Sequence, residues 1–240
     1  MGYYRSGQIV RDIIVRDIIV QDIIVRDIIG TENFCVIERL EGRDVNILAI
    51  ADIESKSLWD YYQPEKLADV DLIISCGDLA PAYLEFLVTM AHCPLLYVHG
   101  NHDGGYNKTA PEGCICIEDR IFRYRGLRIL GLGGSMRYKE GPYMYTENQM
   151  RSRAFKAHLR SVFTGGIDIL VTHAPARGWG DMEDLPHRGF SCFNSLLRTT
   201  SPRFMIHGHV HKEYGHFVRE RVHKYGIKLV NASEYVYIEI

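Results

Sequence analysis

Short apolar runs, often β-branched, recur along the chain, and five of them end directly at polar residues. The runs and the residues that follow them are VNILAIA before Asp52, DLIISC before Gly77-Asp78, LLYVH before Gly100-Asn101-His102-Asp103, DILVT before His173, and RFMIH before Gly208-His209-Val210-His211. Runs of this length and composition predict buried β-strands. In an open α/β sheet, binding sites gather beyond the carboxyl ends of the strands, so these ends should meet in one crevice.

The segments around these runs predict the remaining elements of an α/β domain. PEKLADV and PAYLEFLVTMAH predict crossover helices between the first three strands, and TENQMRSRAFKAHLRSVF and FSCFNSLLRT predict two later helices. Two or three strands are expected in CICIEDRIFRYRGLRILGLGG, and two more in IKLVNASEYVYIEI. We see no interdomain linker after residue 34, so we expect one domain over residues 34–240.

The N-terminal part of the chain carries a tandem pentapeptide, RDIIV-RDIIV-QDIIV-RDIIG, over residues 11–30. Each five-residue step rotates the charged pair by about 140° on a helix, and an odd period reverses the apolar face on a strand. No stable amphipathic face results from either. We therefore interpret residues 1–33 as a repeat-containing leader that is dispensable for catalysis. Its short apolar runs predict neither a signal peptide nor a membrane span.

Composition and charge are those of an ordinary globular enzyme. The chain has 240 residues, 46% hydrophobic and 24% charged, with a net charge of -2. This balance argues against a nucleic-acid or membrane surface recognised by bulk charge, although a nucleotide could still bind in a pocket. The six cysteines include no CxxC pair, which argues against a zinc ribbon and favours reduced thiols in a cytoplasmic protein. The oligomeric state is left open.

The polar residues at the strand ends have the chemistry of a dinuclear metal site. Two divalent ions about 3.5–4 Å apart can clamp a phosphoryl group when an anionic oxygen bridges them. Asp78 is the candidate bridge, and the neutral donors are Asn101, His173, His209 and His211. On extended chain, His209 and His211 point the same way, so one could serve each ion. The alternative for Asp52 and Asp78 is a role as helix N-caps alone.

These motifs, in this order, resemble the calcineurin-like metallophosphoesterases, whose pattern is D-x-H, GD, GNH[DE], a lone His and GHxH. The resemblance runs from about Val45 to the C-terminus, and THAPARG and IHGHVH look like the small bacterial members. It implies a four-layer α/β/β/α sandwich, with two stacked mixed β-sheets flanked by helices. It also implies a first metal held by Asp52, Asp78 and His211, a second held by Asp78, Asn101, His173 and His209, and His102 as general acid, oriented by Asp103.

The first motif departs from the family pattern, because Glu54 stands where D-x-H has histidine. As a metal ligand, Glu54 would add a negative charge and harden the first site. We therefore expect two divalent metal ions, with Mn or Fe favoured and Zn or Mg as alternatives. Two other interpretations stay open, in which Glu54 is a solvated loop carboxylate or the first metal is lost.

Together these features predict a metal-dependent phosphoesterase that hydrolyses a phosphomonoester or phosphodiester with a metal-bound hydroxide. Its partner would be a phosphate-ester substrate, with nucleotides as one candidate class. The alternative is a catalytically degenerate fold that acts as a protein-binding scaffold. The loops of residues 135–147 and 176–190 are candidate substrate caps or ordinary surface loops, with Arg137, Arg177, Trp179 and Arg188 available for phosphate or ring contacts. His99 and His207 are expected in the core or behind the ligands.

Overall fold

The computed structural model describes residues 44–215 and 217–240. The predicted leader of residues 1–33 lies outside the described residues, as does the start of the predicted domain at residue 34. The strands are β1 Asn46–Ala51, β2 Leu72–Ser75, β3 Leu95–Tyr97, β4 Ile115–Cys116, β5 Ile121–Tyr124, β6 Leu127–Leu132, β7 Ser135–Met136, β8 Met144–Tyr145, β9 Ile169–Thr172, β10 Phe204–His207, β11 Glu220–Val222, β12 Lys228–Asn231 and β13 Glu234–Glu239. The helices are α1 Pro81–Ala91, α2 Glu147–Phe163 and α3 Ser191–Thr200, and 3-10 turns occupy Pro64–Lys66, Asp103–Asn107 and Lys212–Tyr214.

Two large mixed sheets organise these elements. The first sheet has the order β13-β1-β2-β3-β4, with β13 antiparallel to β1 and the other pairs parallel. The second has the order β11-β12-β10-β9-β6-β5, with antiparallel pairs only at its two edges. The parallel strands β1, β2 and β3 therefore end at one edge of the first sheet, and β9 and β10 end together in the second.

Side-chain alternation along the strands produces four layers. In β1, Leu48 packs with Leu84 of α1, whereas Ile47 belongs to the apolar cluster that joins the two sheets. In β9, Ile169 enters that same central cluster, while Leu170 faces the cluster that includes α2 and α3. Because successive strand residues point to opposite faces, each sheet buries one face on the other sheet and one on helices. The α/β/β/α prediction is confirmed.

Helix α2 begins where its sequence predicts. Thr146 accepts a hydrogen bond from the Gln149 backbone N–H, and the Gln149 side chain accepts one from the Thr146 backbone N–H, which completes a capping box. The segment TENQMRSRAFKAHLRSVF is therefore helical as expected, and so is FSCFNSLLRT. Among the helices of the described residues, none is both long and apolar enough to cross a membrane.

The predicted first crossover helix is wrong. In PEKLADV only Pro64–Lys66 forms a single 3-10 turn. Leu67 and Val70 are buried against the first sheet, and the Asp71 backbone N–H already bonds to Asn46 at the start of β1. Seven residues are too few to form a stable helix by themselves. The burial of Leu67 and Val70 therefore determines the conformation of this segment.

Candidate metal centre

The candidate ligands leave the strands through unusual backbone conformations. Asp52 follows β1 with φ 65°, Asp78 follows β2 with φ 60°, and His209 follows β10 with φ 71°. Positive φ is uncommon for residues other than glycine and costs free energy. Its use at three strand ends turns these side chains toward one another at the shared edge of the sheets.

His173 is the hub of the cluster. Its Nε2 atom lies 3.2 Å from Asp78 Oδ2, 3.1 Å from Asn101 Oδ1 and 3.1 Å from His209 Nδ1. His173 is fully buried, and His209 and Asn101 are 5% exposed. Three electron-pair donors therefore converge on one imidazole nitrogen, which is the arrangement expected around a cation. The group formed by Asp78, His173 and His209 offers ligand atoms within 4.8 Å of one another.

Backbone carbonyls fix the tautomers of both imidazoles. His173 Nδ1 lies 2.8 Å from the Cys76 carbonyl oxygen, and His209 Nε2 lies 2.8 Å from the Pro186 carbonyl oxygen. A carbonyl can only accept, so these nitrogens carry the protons. His209 Nδ1 therefore faces the cluster with a lone pair, and His173 Nε2 would offer one to a metal ion once its proton is displaced.

Asp52 and His211 lie beside this cluster. The buried Asp52 carboxylate accepts the His209 backbone N–H at 2.9 and 3.0 Å, and its Oδ1 lies 3.7 Å from His211 Nε2 and 4.0 Å from His173 Nδ1. The structure thus brings together all six residues expected from the strand ends: Asp52, Asp78, Asn101, His173, His209 and His211. A carboxylate, amide and imidazole set of this kind suits Mn, Fe or Zn.

Charge pairing controls protonation in the cluster. Burial alone would lower the pKa of His173, but the Asp78 and Asp52 carboxylates raise it to about 9. Burial pushes the pKa of Asp78 upward, and the pairing with His173 outweighs this and holds that pKa below its ordinary value. Burial lowers the pKa of His209 to about 3, so its imidazole is neutral. Asp52 raises the pKa of His211. Without a bound cation, a proton on His173 would therefore balance the neighbouring carboxylates.

Glycines allow the close approach that the cluster needs. A Cβ on Gly100 would overlap Asp78 Oδ1, and one on Gly208 would lie 2.5 Å from Ala51 Cβ and 2.8 Å from Asp52 Oδ2. A Cβ on Gly77 would overlap the Gly100 backbone nitrogen. Only glycine fits at these positions, because any larger residue would displace a candidate ligand or its supporting backbone.

Glu54 has a partner outside the cluster. Its side chain is exposed, and Oε1 accepts the Ala80 backbone N–H at 3.2 Å, just before α1 begins. This bond satisfies a donor at a helix start that has no side-chain cap of its own. Ligation by Glu54 remains a prediction, and it would require this carboxylate to use its second oxygen or to leave Ala80.

His102 and Asp103 occupy different places in the GNHD loop. His102 is exposed, and its backbone N–H donates to Asp78 Oδ1 at 2.7 Å. Asp103 is buried, and its Oδ2 accepts the backbone N–H groups of Gly100 and Asp78 at 2.7 and 2.9 Å. Burial raises the pKa of Asp103. Asp103 therefore holds the backbone of the loop that carries His102, and its role in orienting His102, which the family resemblance implied, stays a prediction.

Open space adjoins His102. A cleft of about 500 Å³ is lined by Asp78, His102, Asp103, Tyr106 and Thr109, among others. Its size is within the usual range for small-molecule sites. His102 and Asp78 thus both line this space, and Asp78 also belongs to the candidate metal cluster.

His99, His207 and Arg137 have hydrogen-bond partners outside the candidate metal cluster. His99 pairs with Glu118 through Nδ1 at 3.1 Å, and His207 is buried with Nδ1 3.1 Å from the Gly208 carbonyl oxygen, so His207 lies in the core as one expectation had it, and the Nδ1 atom of each has a partner outside the cluster. Arg137 bonds to Met144 and Gln149.

In the other candidate cap loop, Arg177 pairs with Asp181 and Glu183, and Arg188 bonds to the Glu183 carbonyl. These two arginines, like Arg137, make hydrogen bonds within their own loop or to neighbouring elements, and a phosphate contact would compete with those bonds.

The role of Pro186 and the neighbours of His187 are not apparent from the sequence. The His187 ring centroid lies 5.3 Å from that of His209 and 4.4 Å from that of Tyr214, which in turn lies 5.0 Å from the His211 ring. A carbonyl acceptor carries no residue-specific signal. For His187, its place in a loop with several charged residues was the only hint.

Comparisons with known proteins agree with this geometry. A family model described as the calcineurin-like phosphoesterase superfamily domain matches residues 46–234. Human metallophosphoesterase domain-containing protein 1 is 30% identical over 105 residues, 42% of this chain and 31% of that protein. A UPF0046 protein of Caenorhabditis elegans is 25% identical over 122 residues, 49% of this chain and 29% of that protein. The matches thus cover less than a third of either relative's length.

Solved structures share the fold. The crystal structure of TT1561 of Thermus thermophilus aligns with a TM-score of 0.55 and 17% identity, covering 80% of this chain and 90% of that one. At this identity the likeness concerns the fold alone.

Proposed function

Because the chain belongs to the calcineurin-like phosphoesterase superfamily, we propose that it hydrolyses a phosphomonoester or phosphodiester at a centre of two divalent metal ions. The observation that carries the proposal is the convergence of Asp78, Asn101 and His209 on Nε2 of His173, at 3.1–3.2 Å. A buried cluster of a carboxylate, an amide oxygen and two imidazoles whose outer nitrogens bond to backbone carbonyls fits a metal-binding role.

The residues divide into two ligand sets joined by one carboxylate. Asp52, Asp78 and His211 would hold the first ion, with Glu54 as an additional ligand. Asp78, Asn101, His173 and His209 would hold the second. When bound, such ions polarise phosphoryl oxygens and lower the pKa of water, and this donor set favours Mn or Fe, with Zn or Mg as alternatives.

His102 would contribute the proton-transfer chemistry. Its backbone is tied to Asp78, and its exposed imidazole borders the cleft, so it can reach an ester oxygen bound beside the cluster. A positioned general acid contributes roughly 10²–10⁴ in rate. Asp103 would support His102 by holding the loop through the Gly100 and Asp78 N–H groups.

The substrate is proposed to be a small phosphate ester, with nucleotides as one candidate class. The cleft of about 500 Å³ can hold such a molecule. The described cysteines, Cys76, Cys93, Cys114, Cys116 and Cys192, are free thiols. They fit a reducing compartment, and we propose the cytoplasm.

Paired assays test the function. The purified chain would be incubated with p-nitrophenyl phosphate and with bis-p-nitrophenyl phosphate, each under Mn²⁺ and Zn²⁺. We expect metal-dependent release of nitrophenol, and its loss in Asp78→Asn, which removes the shared carboxylate charge. The matched control is His92→Asn, at the far end of α1. Metal uptake without hydrolysis of either ester would favour the degenerate scaffold.

A further inference from the structure

The loop of residues 176–190 is closed at its base by backbone pairing. Ala176 and Phe190 form a bridge, with the Arg177 N–H donating to the Phe190 carbonyl at 3.1 Å and the Phe190 N–H donating to the Pro175 carbonyl at 3.1 Å. A Cβ on Gly189 would lie 2.6 Å from the Pro175 carbonyl oxygen, so this tight closure requires glycine there.

Asp181 ties the interior of the loop together. Its side chain is 5% exposed. Oδ1 accepts the Gly178 N–H at 2.7 Å, and Oδ2 accepts the Gly189 N–H at 3.0 Å and Arg177 Nη1 at 2.7 Å. A buried carboxylate with three donors is stabilised, whereas the same donors without it would lose their partners. Asp181 therefore holds both ends of the loop at fixed positions.

The loop tip reaches the metal cluster. The Pro186 carbonyl accepts the His209 Nε2–H at 2.8 Å. On either side of it, the Met182 N–H donates to the His187 carbonyl at 3.1 Å, and Arg188 Nη2 donates to the Glu183 carbonyl at 2.8 Å. The carbonyl of Pro186 thus belongs to a cross-linked loop rather than to a free strand of chain.

We propose that Asp181 is a positioning residue for His209. By fixing the loop of residues 176–190, it holds the Pro186 carbonyl against His209 Nε2–H, and this sets the ring so that Nδ1 faces Asp78 and His173. The loop then acts as a support for the second metal ion rather than as a phosphate-binding cap. The inference rests on the proposed function only in assigning a catalytic role to the second ion. The hydrogen bonds that link Asp181 to the loop, and the Pro186 carbonyl to His209, are expected in the protein without metal as well.

The test compares Asp181→Asn with Asp184→Asn. Both remove one carboxylate charge from the same loop. Asp184 bonds only to the His187 ring among the described side-chain contacts, at 2.6 Å, and is 45% exposed. Outer partners of metal ligands typically contribute about 10–100-fold to metal affinity. We expect Asp181→Asn to weaken one Mn²⁺ site by that factor in calorimetric titration, and Asp184→Asn to change it less than about threefold.

A second readout uses metal-free protein. In ¹⁵N-histidine-labelled chain with EDTA, the His209 Nε2–H signal should exchange slowly in the wild type and at least about tenfold faster in Asp181→Asn, as expected when a buried hydrogen bond opens more often. Arg177→Gln, which leaves the two backbone bonds of Asp181, should show a smaller effect.

If Asp181→Asn keeps both the Mn²⁺ affinity and the slow exchange of the His209 Nε2–H proton of the wild type, the positioning role is overturned. An equal loss of affinity in Asp184→Asn would also overturn it, since the effect would then come from loop charge. If the wild type takes up no metal, the proposed function fails, and the exchange measurement alone decides the inference.

Discussion

Nε2 of His173 lies 3.1 Å from Nδ1 of His209, although the two imidazoles come from different strand ends. Two nitrogens at this distance need either a proton or a cation between them, because two lone pairs would repel. Since burial lowers the pKa of His209 to about 3 and neighbouring carboxylates raise that of His173 to about 9, the proton belongs to His173. Without a bound cation, a proton on His173 would therefore lie at the place proposed for an ion.

The first prediction concerns the stability of metal-free protein. A pKa raised from the ordinary 6.5 to about 9 contributes stability that is fully present below pH 6.5 and is lost as pH rises through about 9. The unfolding temperature of the EDTA-treated chain should therefore decrease as the pH is raised from 6.5 to about 9. His173→Gln, which carries no titrating proton, should lose that part of the pH dependence. Equal slopes for the two proteins would contradict the assignment.

The second prediction concerns metal uptake. An ion that binds His173 Nε2 must displace its proton, so Mn²⁺ affinity should rise with pH by up to about tenfold per unit until pH about 9. Titration calorimetry in two buffers of different ionisation enthalpy would detect the released proton. No proton release at pH 7 would show that the ion does not use this nitrogen.

The third prediction separates catalysis from metal binding at His102. His102→Ala should lower kcat by roughly 10²–10⁴ and leave metal content unchanged, because its imidazole borders the cleft while its backbone N–H, which bonds to Asp78, is retained. Turnover of p-nitrophenyl phosphate and elemental analysis would be measured together. Loss of metal in this variant would instead assign His102 to the ligand set.

The fourth prediction uses two glycines of one loop. Gly100→Ala should empty the site and destabilise the fold by about 1–3 kcal/mol, since its Cβ would overlap Asp78 Oδ1. The matched control is Gly105→Ala, where an added Cβ has no described atom within 4 Å. Metal content and urea unfolding report both effects. Full occupancy in Gly100→Ala would mean that Asp78 can move without losing the ion.

The sequence was sufficient to predict most strands of the two large sheets and the cluster of candidate ligands, because both depend on residue type. Apolar runs that end in Asp, Asn or His indicate strands and donors directly, and the parallel order of β1, β2 and β3 then brings Asp52, Asp78 and Asn101 to one edge.

Other features depend on backbone atoms or on local competition. The Pro186 carbonyl that supports His209 could be any residue's carbonyl. Arg177 looked available for phosphate, but nearby Asp181 and Glu183 bind it within its own loop. PEKLADV had helical composition, yet the burial of Leu67 and Val70 decided its conformation.

The fifth prediction concerns Glu54. If Glu54 is a ligand of the first ion, Glu54→Ala should lower occupancy of that site and slow hydrolysis, and Glu54→His should restore binding and shift preference toward Zn²⁺, since imidazole is neutral and softer. Both variants lose the hydrogen bond from the Ala80 N–H to the Glu54 carboxylate, which contributes about 1 kcal/mol to stability. The two variants should therefore be equally stable, so a difference in metal occupancy between them would not come from a difference in folding. Unchanged occupancy and rate in Glu54→Ala would make Glu54 a helix-start partner only.

The most direct test of the metal centre is a crystal structure of the Mn²⁺-loaded chain with anomalous scattering measured at the manganese edge. The proposal predicts two anomalous peaks about 3.5–4 Å apart. Asp78 should lie between them, His211 and Asp52 should bind one, and His173 and His209 the other. Saturating Mn²⁺ that gives no peak within bonding distance of His173 Nε2 and Asp78 would contradict the account.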